Sequence, residues 1–123
     1  MTAKVSSFRD LKAWQRAMDL VPEVYQLTRR FPAEERYVLV DQVRRAVVSI
    51  PANISEGHGR QHTREFVQHL SIARGSLAEL HTLLLIAQLL GYIAETDLTT
   101  AEQVITEIRK ILFGLMNRLQ EKL

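Results

Sequence analysis

The chain has no cysteine among its 123 residues, so disulfides, thiolate metal sites and a cysteine nucleophile are excluded. Prolines number three, and no segment alternates apolar and polar residues with period two, which argues against strands. The opening "MTAKVSSFRDLKAW" has a basic start with no apolar region behind it, so no signal peptide is expected. The longest apolar stretch, 83–94, is interrupted by Gln88, flanked by Glu79 and His81, and too short to span a bilayer. There are no repeats, low-complexity segments or linkers. The expectation is one domain over residues 1–123, cytoplasmic and without membrane contact.

Lysine is also scarce. Of sixteen basic residues only Lys4, Lys12, Lys110 and Lys122 are lysine, and the rest are arginine. The net charge is +2 and the pI about 9.2. The middle of the chain is more basic than this balance implies: Arg44, Arg45, Arg60 and Arg64 stand against the single acid Glu56, with His58 and His62 beside them. Such a patch suits phosphate or an acidic protein surface, or else is a solvated face with local ion pairs.

Apolar residues recur at three- and four-residue steps nearly throughout, the mark of an all-α chain. The first helix is expected over residues 8–30, with Leu11, Trp14, Met18, Val21 and Tyr25 on its buried face and a bend at Pro22. The second runs over 33–56, begun by Pro32 and the acids Glu34 and Glu35, with Val40, Val43, Val47, Ile50 and Ile54 inward and Gly57 and Gly59 as the stop. The third covers 63–90, with Phe66, Leu70, Ala73, Leu77, Leu80, Leu84 and Ala87 inward and Gly91 ending it. The fourth starts at a cap on Thr96 or Thr99, the latter boxed with Glu102, and presents Leu98, Ala101, Ile105, Ile108, Leu112, Leu115 and Leu119. Short connections between long helices predict an antiparallel up-down-up-down four-helix bundle.

One apolar feature exceeds what a monomer needs. Leu83, Leu84, Leu85 and Ile86 cover most of a helix circumference, and Val104 and Ile111 add a second stripe on the fourth helix. Leu83, Leu85, Ile86, Val104 and Ile111 are therefore candidate homo-oligomer contacts, against the alternative of a broad monomer core.

The stretch "SIPANISEGHGR" places a kink and a polar cluster inside a helical pattern. Pro51 frees the carbonyl of Val47, and Ser49 and Asn53 should face the third helix around 68–73. Arg44 and Arg45 should lie near Arg74, Gly75, Ser76 and Glu79. Two readings stand side by side. Arg44, Arg45, Arg60, Arg64 and Arg74 form an anion-binding ridge, or they belong to a structural network pairing Arg45 with Glu79 and Asp41 with Arg44, with Asn53 on freed backbone. Glu56 is assigned to that structural set, and Gly75 is expected to mark close helix approach.

Catalytic and metal signatures are weak. His62, Glu65 and His69 share a helical face, but the spacing is neither H-E-x-x-H nor paired E-x-x-H, so no metal or other cofactor is expected. "EGHGR" lacks the lysine-serine ending of a phosphate loop, and nothing arranges a Ser-His-Asp set. Trp14, Tyr25 and Tyr37 could stack on bases, although Trp14 and Tyr25 share the apolar face. No enzymatic activity is expected.

The stretches "FRDLKAWQRAMDLVPEVYQLTRRFPAEERYVLVDQVRRAVVSIPANISEGHGR" and "EFVQHLSIARGSLAELHTLLLIAQLLGYI" resemble the four-helix-bundle proteins encoded in intervening sequences of bacterial 23S rRNA genes. The specific part is the arginine pair leading into "SIPANISEG", followed by "ARGSLAEL"; Ser55 stands where the family form "NIAEG" has alanine. The resemblance implies a small cytosolic bundle that assembles as a pentameric ring with a basic surface. It implies no settled activity. A more distant likeness in shape, to the accessory variability protein of diversity-generating retroelements, implies work beside a reverse transcriptase. The expected partners are thus other copies of the chain and RNA or DNA, with a scaffold for a nucleic-acid-processing enzyme as the alternative.

Overall fold

A computed structural model describes residues 7–123. Four helices make up the fold, α1 (Lys12–Thr28), α2 (Leu39–Gly59), α3 (Thr63–Leu89) and α4 (Glu95–Gln120), with single 3-10 turns at Phe8–Asp10 and Ala33–Glu35 and no strand among the described residues.

The first helix is shorter than its periodicity predicts. Ser7 Oγ accepts from the Arg9 N–H at 3.1 Å and caps the one-turn 3-10 segment, after which Leu11 is extended and α1 starts. Its inward face is also rotated from expectation. Ala13, Ala17, Leu20, Val24 and Leu27 are buried, Leu11, Trp14, Val21 and Tyr25 flank the core, and Met18 is 44% exposed. The fully buried stripe runs through Ala13, Ala17, Leu20 and Val24, and the aromatic residues border it. Trp14 meets Phe8 edge-on at 5.2 Å.

The second helix likewise breaks into a 3-10 turn and a later start at Leu39. The Glu35 carboxylate accepts from the Tyr92 hydroxyl at 2.8 Å, which ties this connection to the one between α3 and α4 and pushes the Tyr92 phenol up. At its far end α2 runs on through Gly57 to Gly59, so Gly57 does not stop the helix. Gly57 is buried because a Cβ there would stand 2.6 Å from His69 Cβ and 3.1 Å from Phe66 Cδ1. This, and not Gly75, is the close approach of α2 to α3: a Cβ on Gly75 meets nothing within 4 Å, and Gly75 is exposed.

α3 ends as expected at Gly91, whose φ of 81° is open to glycine without strain. The Gly91 and Tyr92 N–H groups donate to the carbonyls of Gln88 and Ala87, each at 2.9 Å, satisfying the last turn. By length and composition α3 could cross a membrane, with mean hydropathy 1.3, but Leu70, Ala73, Leu77, Leu80, Leu83, Leu84 and Ala87 are buried against the other helices. α4 begins earlier than Thr96 or Thr99, with Ala94 as its cap residue. The Asp97 carboxylate accepts the Ala94 N–H at 3.1 Å and pairs with Arg30, just past the end of α1. Its core face is Leu98, Ala101, Ile105, Ile108, Leu112 and Met116, with Met116 taking the place expected of Leu115.

Each helix packs on its chain neighbor, and α1 packs on α4. Arg16 of α1 donates from Nε and Nη2 to Glu107 at 2.9 and 2.8 Å, and from Nη1 to Asp19 at 2.7 Å. That hydrogen bonding holds the Glu107 carboxyl below the usual carboxylate range.

The glycines give a direct test. Gly57→Ala forces Cβ into the backbone-proximal atoms of α3 and is expected to destabilize the protein by about 1–3 kcal/mol. Gly75→Ala adds a methyl in open space and is expected to stabilize α3 by up to about 1 kcal/mol. Urea denaturation of both variants checks the contrast; equal effects would place the helix contact elsewhere.

Candidate nucleic-acid interface

The polar cluster of "SIPANISEGHGR" becomes the seam between α2 and α3. Ser49 Oγ lies 2.6 Å from Ser76 Oγ. Asn53 Nδ2 donates to the Ser49 carbonyl at 2.9 Å and to Ser49 Oγ at 3.1 Å, while Asn53 Oδ1 lies 3.3 Å from His69 Nδ1. Asn53 therefore reaches α3 as expected, but the backbone group it serves is the Ser49 carbonyl, one turn above it, and not that of Val47. Pro51 is buried between these two polar residues. His58 packs edge-on to Phe66 at 5.7 Å.

The five predicted arginines do not gather on one ridge. Arg44 turns toward α1, where its guanidinium lies 4.4 Å over the Tyr25 ring and its Nε donates to Thr28 Oγ1 at 3.0 Å. Arg45 pairs with Asp41 at 3.0 Å on its own helix. The expected Arg45–Glu79 and Asp41–Arg44 bridges are thus replaced, because Asp41 sits one turn before Arg45 and Arg44 has the aromatic ring. Glu79 is exposed and forms no ion pair among the described residues. Arg60 engages Glu56 at 3.1 Å and Glu65 at 3.5 Å, so two acids compensate its charge.

Arg64 and Arg74 differ. Both are exposed on α3, about 15 Å apart along the helix, and neither has a carboxylate partner among the described residues. Arg64 borders an open depression of about 620 Å³ with His62, Thr63, Glu65, Gln68 and Lys122, the last reaching in from beyond α4. His81 bonds Glu102 at 2.7 Å and lies 3.4 Å from Arg109, which sets the register of α4 against α3. That register brings Arg74 to the height of Ile111 to Phe113. Lys110 and Phe113 are exposed there, Phe113 by 62%. Lys122 escapes sequence reasoning because its place beside the start of α3 depends on how the end of the chain packs.

The apolar candidates separate as well. Leu83 is buried in the core and cannot serve a contact between copies, while Val104 and Ile111 are half-buried against that core. Leu85 and Ile86 are exposed, with Leu89 and Leu90 one turn further on at 85% and 51% exposure. Tyr37 is 83% exposed, unlike Trp14 and Tyr25.

Comparison with known proteins places this geometry. The model of the 23S rRNA-intervening sequence protein family matches residues 9–114. The chain is also similar to the crystal structure of a protein of unknown function from the S23 ribosomal protein family of Bacteroides thetaiotaomicron, at 24% identity and a TM-score of 0.78, covering 85% of this chain and 95% of that one. At that identity the likeness concerns the fold alone. No curated protein matches the chain.

The seam predicts non-additivity. Ser76→Ala should cost about 1 kcal/mol alone and less in a Ser49→Ala background, because each change removes the same hydrogen bond. A double-mutant cycle by denaturation measures the coupling, and strictly additive losses would contradict it.

Proposed function

The chain belongs to the 23S rRNA-intervening sequence protein family, and on that premise we propose that it is a noncatalytic protein of the cytoplasm that binds RNA or DNA without sequence preference. The observation that carries this reading is a group of exposed cations on α3 and at or beyond α4 that have no acid partner among the described residues, Arg64, Arg74, Lys110 and Lys122 among them, with Phe113 exposed on α4. Unpaired guanidinium groups are open to phosphate oxygens, and an aromatic face suits an unstacked base. Arg60 contributes less than its position promises, since Glu56 and Glu65 already hold it.

The fold beneath this surface is an antiparallel up-down-up-down bundle. Its support is the order of the pairs: Arg16 of α1 meets Glu107 and Arg30, just past the end of α1, meets Asp97, so the chain runs opposite ways in α1 and α4, and Ser49–Ser76 and Asn53–His69 run the same way between α2 and α3. Several copies close into a ring, five by the family resemblance. The exposed Leu85, Ile86, Leu89 and Leu90 supply uncovered apolar surface for that contact. A ring multiplies a weak patch through avidity.

An Arg64→Ala/Arg74→Ala variant is expected to lose on the order of tenfold affinity for every nucleic-acid sequence and to flatten the salt dependence by about one contact per arginine, with oligomeric mass unchanged. Anisotropy titration and light scattering read these two outcomes, and unaltered affinity would remove the two arginines from the site. Leu85→Asp/Ile86→Asp is expected to lower the assembly mass by light scattering; an intact assembly would exclude this face as the contact.

A further inference from the structure

The connection between α1 and α2 holds a second basic site, independent of the surface just described. A pocket of about 280 Å³ opens there, lined by Arg29, Arg36 and Arg44 together with Thr28, Phe31 and Pro32. No carboxylate lines it. Three cations converging without an acid repel one another unless an anion enters.

The acids of the same connection are turned elsewhere. Glu35 accepts the Tyr92 hydroxyl at 2.8 Å, and Glu34 does not line the pocket. Asp41, the nearest acid on α2, is taken by Arg45. Among the described residues Arg29, Arg36 and Arg44 have no carboxylate within salt-bridge distance.

Arg44 is also preorganized. Tyr25 lies beneath its guanidinium at 4.4 Å, and its Nε is fixed by Thr28 Oγ1 at 3.0 Å. Thr28 is 2% exposed, and its own hydroxyl proton goes to the Tyr25 carbonyl at 2.7 Å. The hydroxyl is therefore a support for Arg44, whose two terminal nitrogens have no hydrogen-bond partner among the described residues. A planar fork held this way matches two oxygens of a phosphate, and its ordering precedes binding.

We propose that the pocket formed by Arg29, Arg36 and the Tyr25-backed Arg44 binds a phosphomonoester dianion. Three guanidinium groups favor two negative charges over the single charge of a diester. The volume lies near the lower bound of about 300 Å³ for small-molecule sites, which suits a terminal phosphate with a small group attached. The phosphate has two sources, a free phosphate or small ester and the 5′-phosphate of a nucleic-acid strand.

The test is a titration of the 15N-labeled protein with inorganic phosphate, against chloride at equal ionic strength, following the Thr28 amide and the Arg44 Nε resonance. Saturable shifts with phosphate, absent with chloride and weakened at least tenfold in Arg29→Ala/Arg36→Ala, are the expected result. Both replaced side chains are exposed, so the fold is retained. The second arm compares one pentanucleotide carrying a 5′-phosphate with the same pentanucleotide carrying a 5′-hydroxyl. Tighter binding of the phosphorylated form, lost in the double variant, assigns the strand end as the source; equal binding beside saturable phosphate shifts assigns the small ester. Phosphate acting no differently from chloride, together with equal binding of the two pentanucleotides, overturns the site and leaves the Arg64 and Arg74 surface untouched.

Discussion

The close approach of α2 to α3 at Gly57 is the constraint on which the rest depends. A Cβ at that position would meet His69 Cβ at 2.6 Å, so only glycine allows the two backbones to come this near. The approach brings Ser49 to Ser76 and Asn53 to His69 within hydrogen-bonding reach. Those bonds fix the register of the hairpin, and the register sets which side of α3 faces the core. It also decides which arginines face water. Arg60 is left beside Glu56 and Glu65 at the turn, while Arg64 and Arg74 project from α3 without acids. A basic surface therefore follows from a steric fact about one glycine and from two polar pairs one to two turns apart.

Helical content and most of the core were legible because apolar periodicity reports directly on which residues leave water. The steps on α3 from Leu70 to Ala87 and on α4 from Leu98 to Leu112 are the buried ones. On α1 two apolar stripes lie side by side, one through Leu11, Trp14, Met18, Val21 and Tyr25 and one through Ala13, Ala17, Leu20, Val24 and Leu27, and only packing against the other helices shows that the second is the buried one. Gly75 and Gly57 illustrate a second limit. A glycine in a helical pattern marks either a contact or open space, and only the position of the neighboring helix separates them.

Charge pairing was the least legible. Asp41 stands three residues before Arg44 and four before Arg45, and both spacings permit a bridge. The choice fell to Arg45 because Tyr25 and Thr28, from another helix, engage Arg44. The same ambiguity hid Arg29 and Arg36, which lie in or beside an irregular connection where periodicity carries no signal. The sequence located the basic middle of the chain, but the division between compensated arginines at the turn and uncompensated cations on α3 and α4 is a property of the packed helices.

A nucleic-acid-binding surface built from uncompensated cations has one thermodynamic signature, the release of counterions. The most direct measurement is an anisotropy titration of the wild-type protein with labeled single- and double-stranded RNA and DNA at several salt concentrations. The account predicts binding to each, with affinity falling linearly in log salt and a slope corresponding to several phosphate contacts. Absence of binding at low salt, or an affinity indifferent to salt, would contradict it.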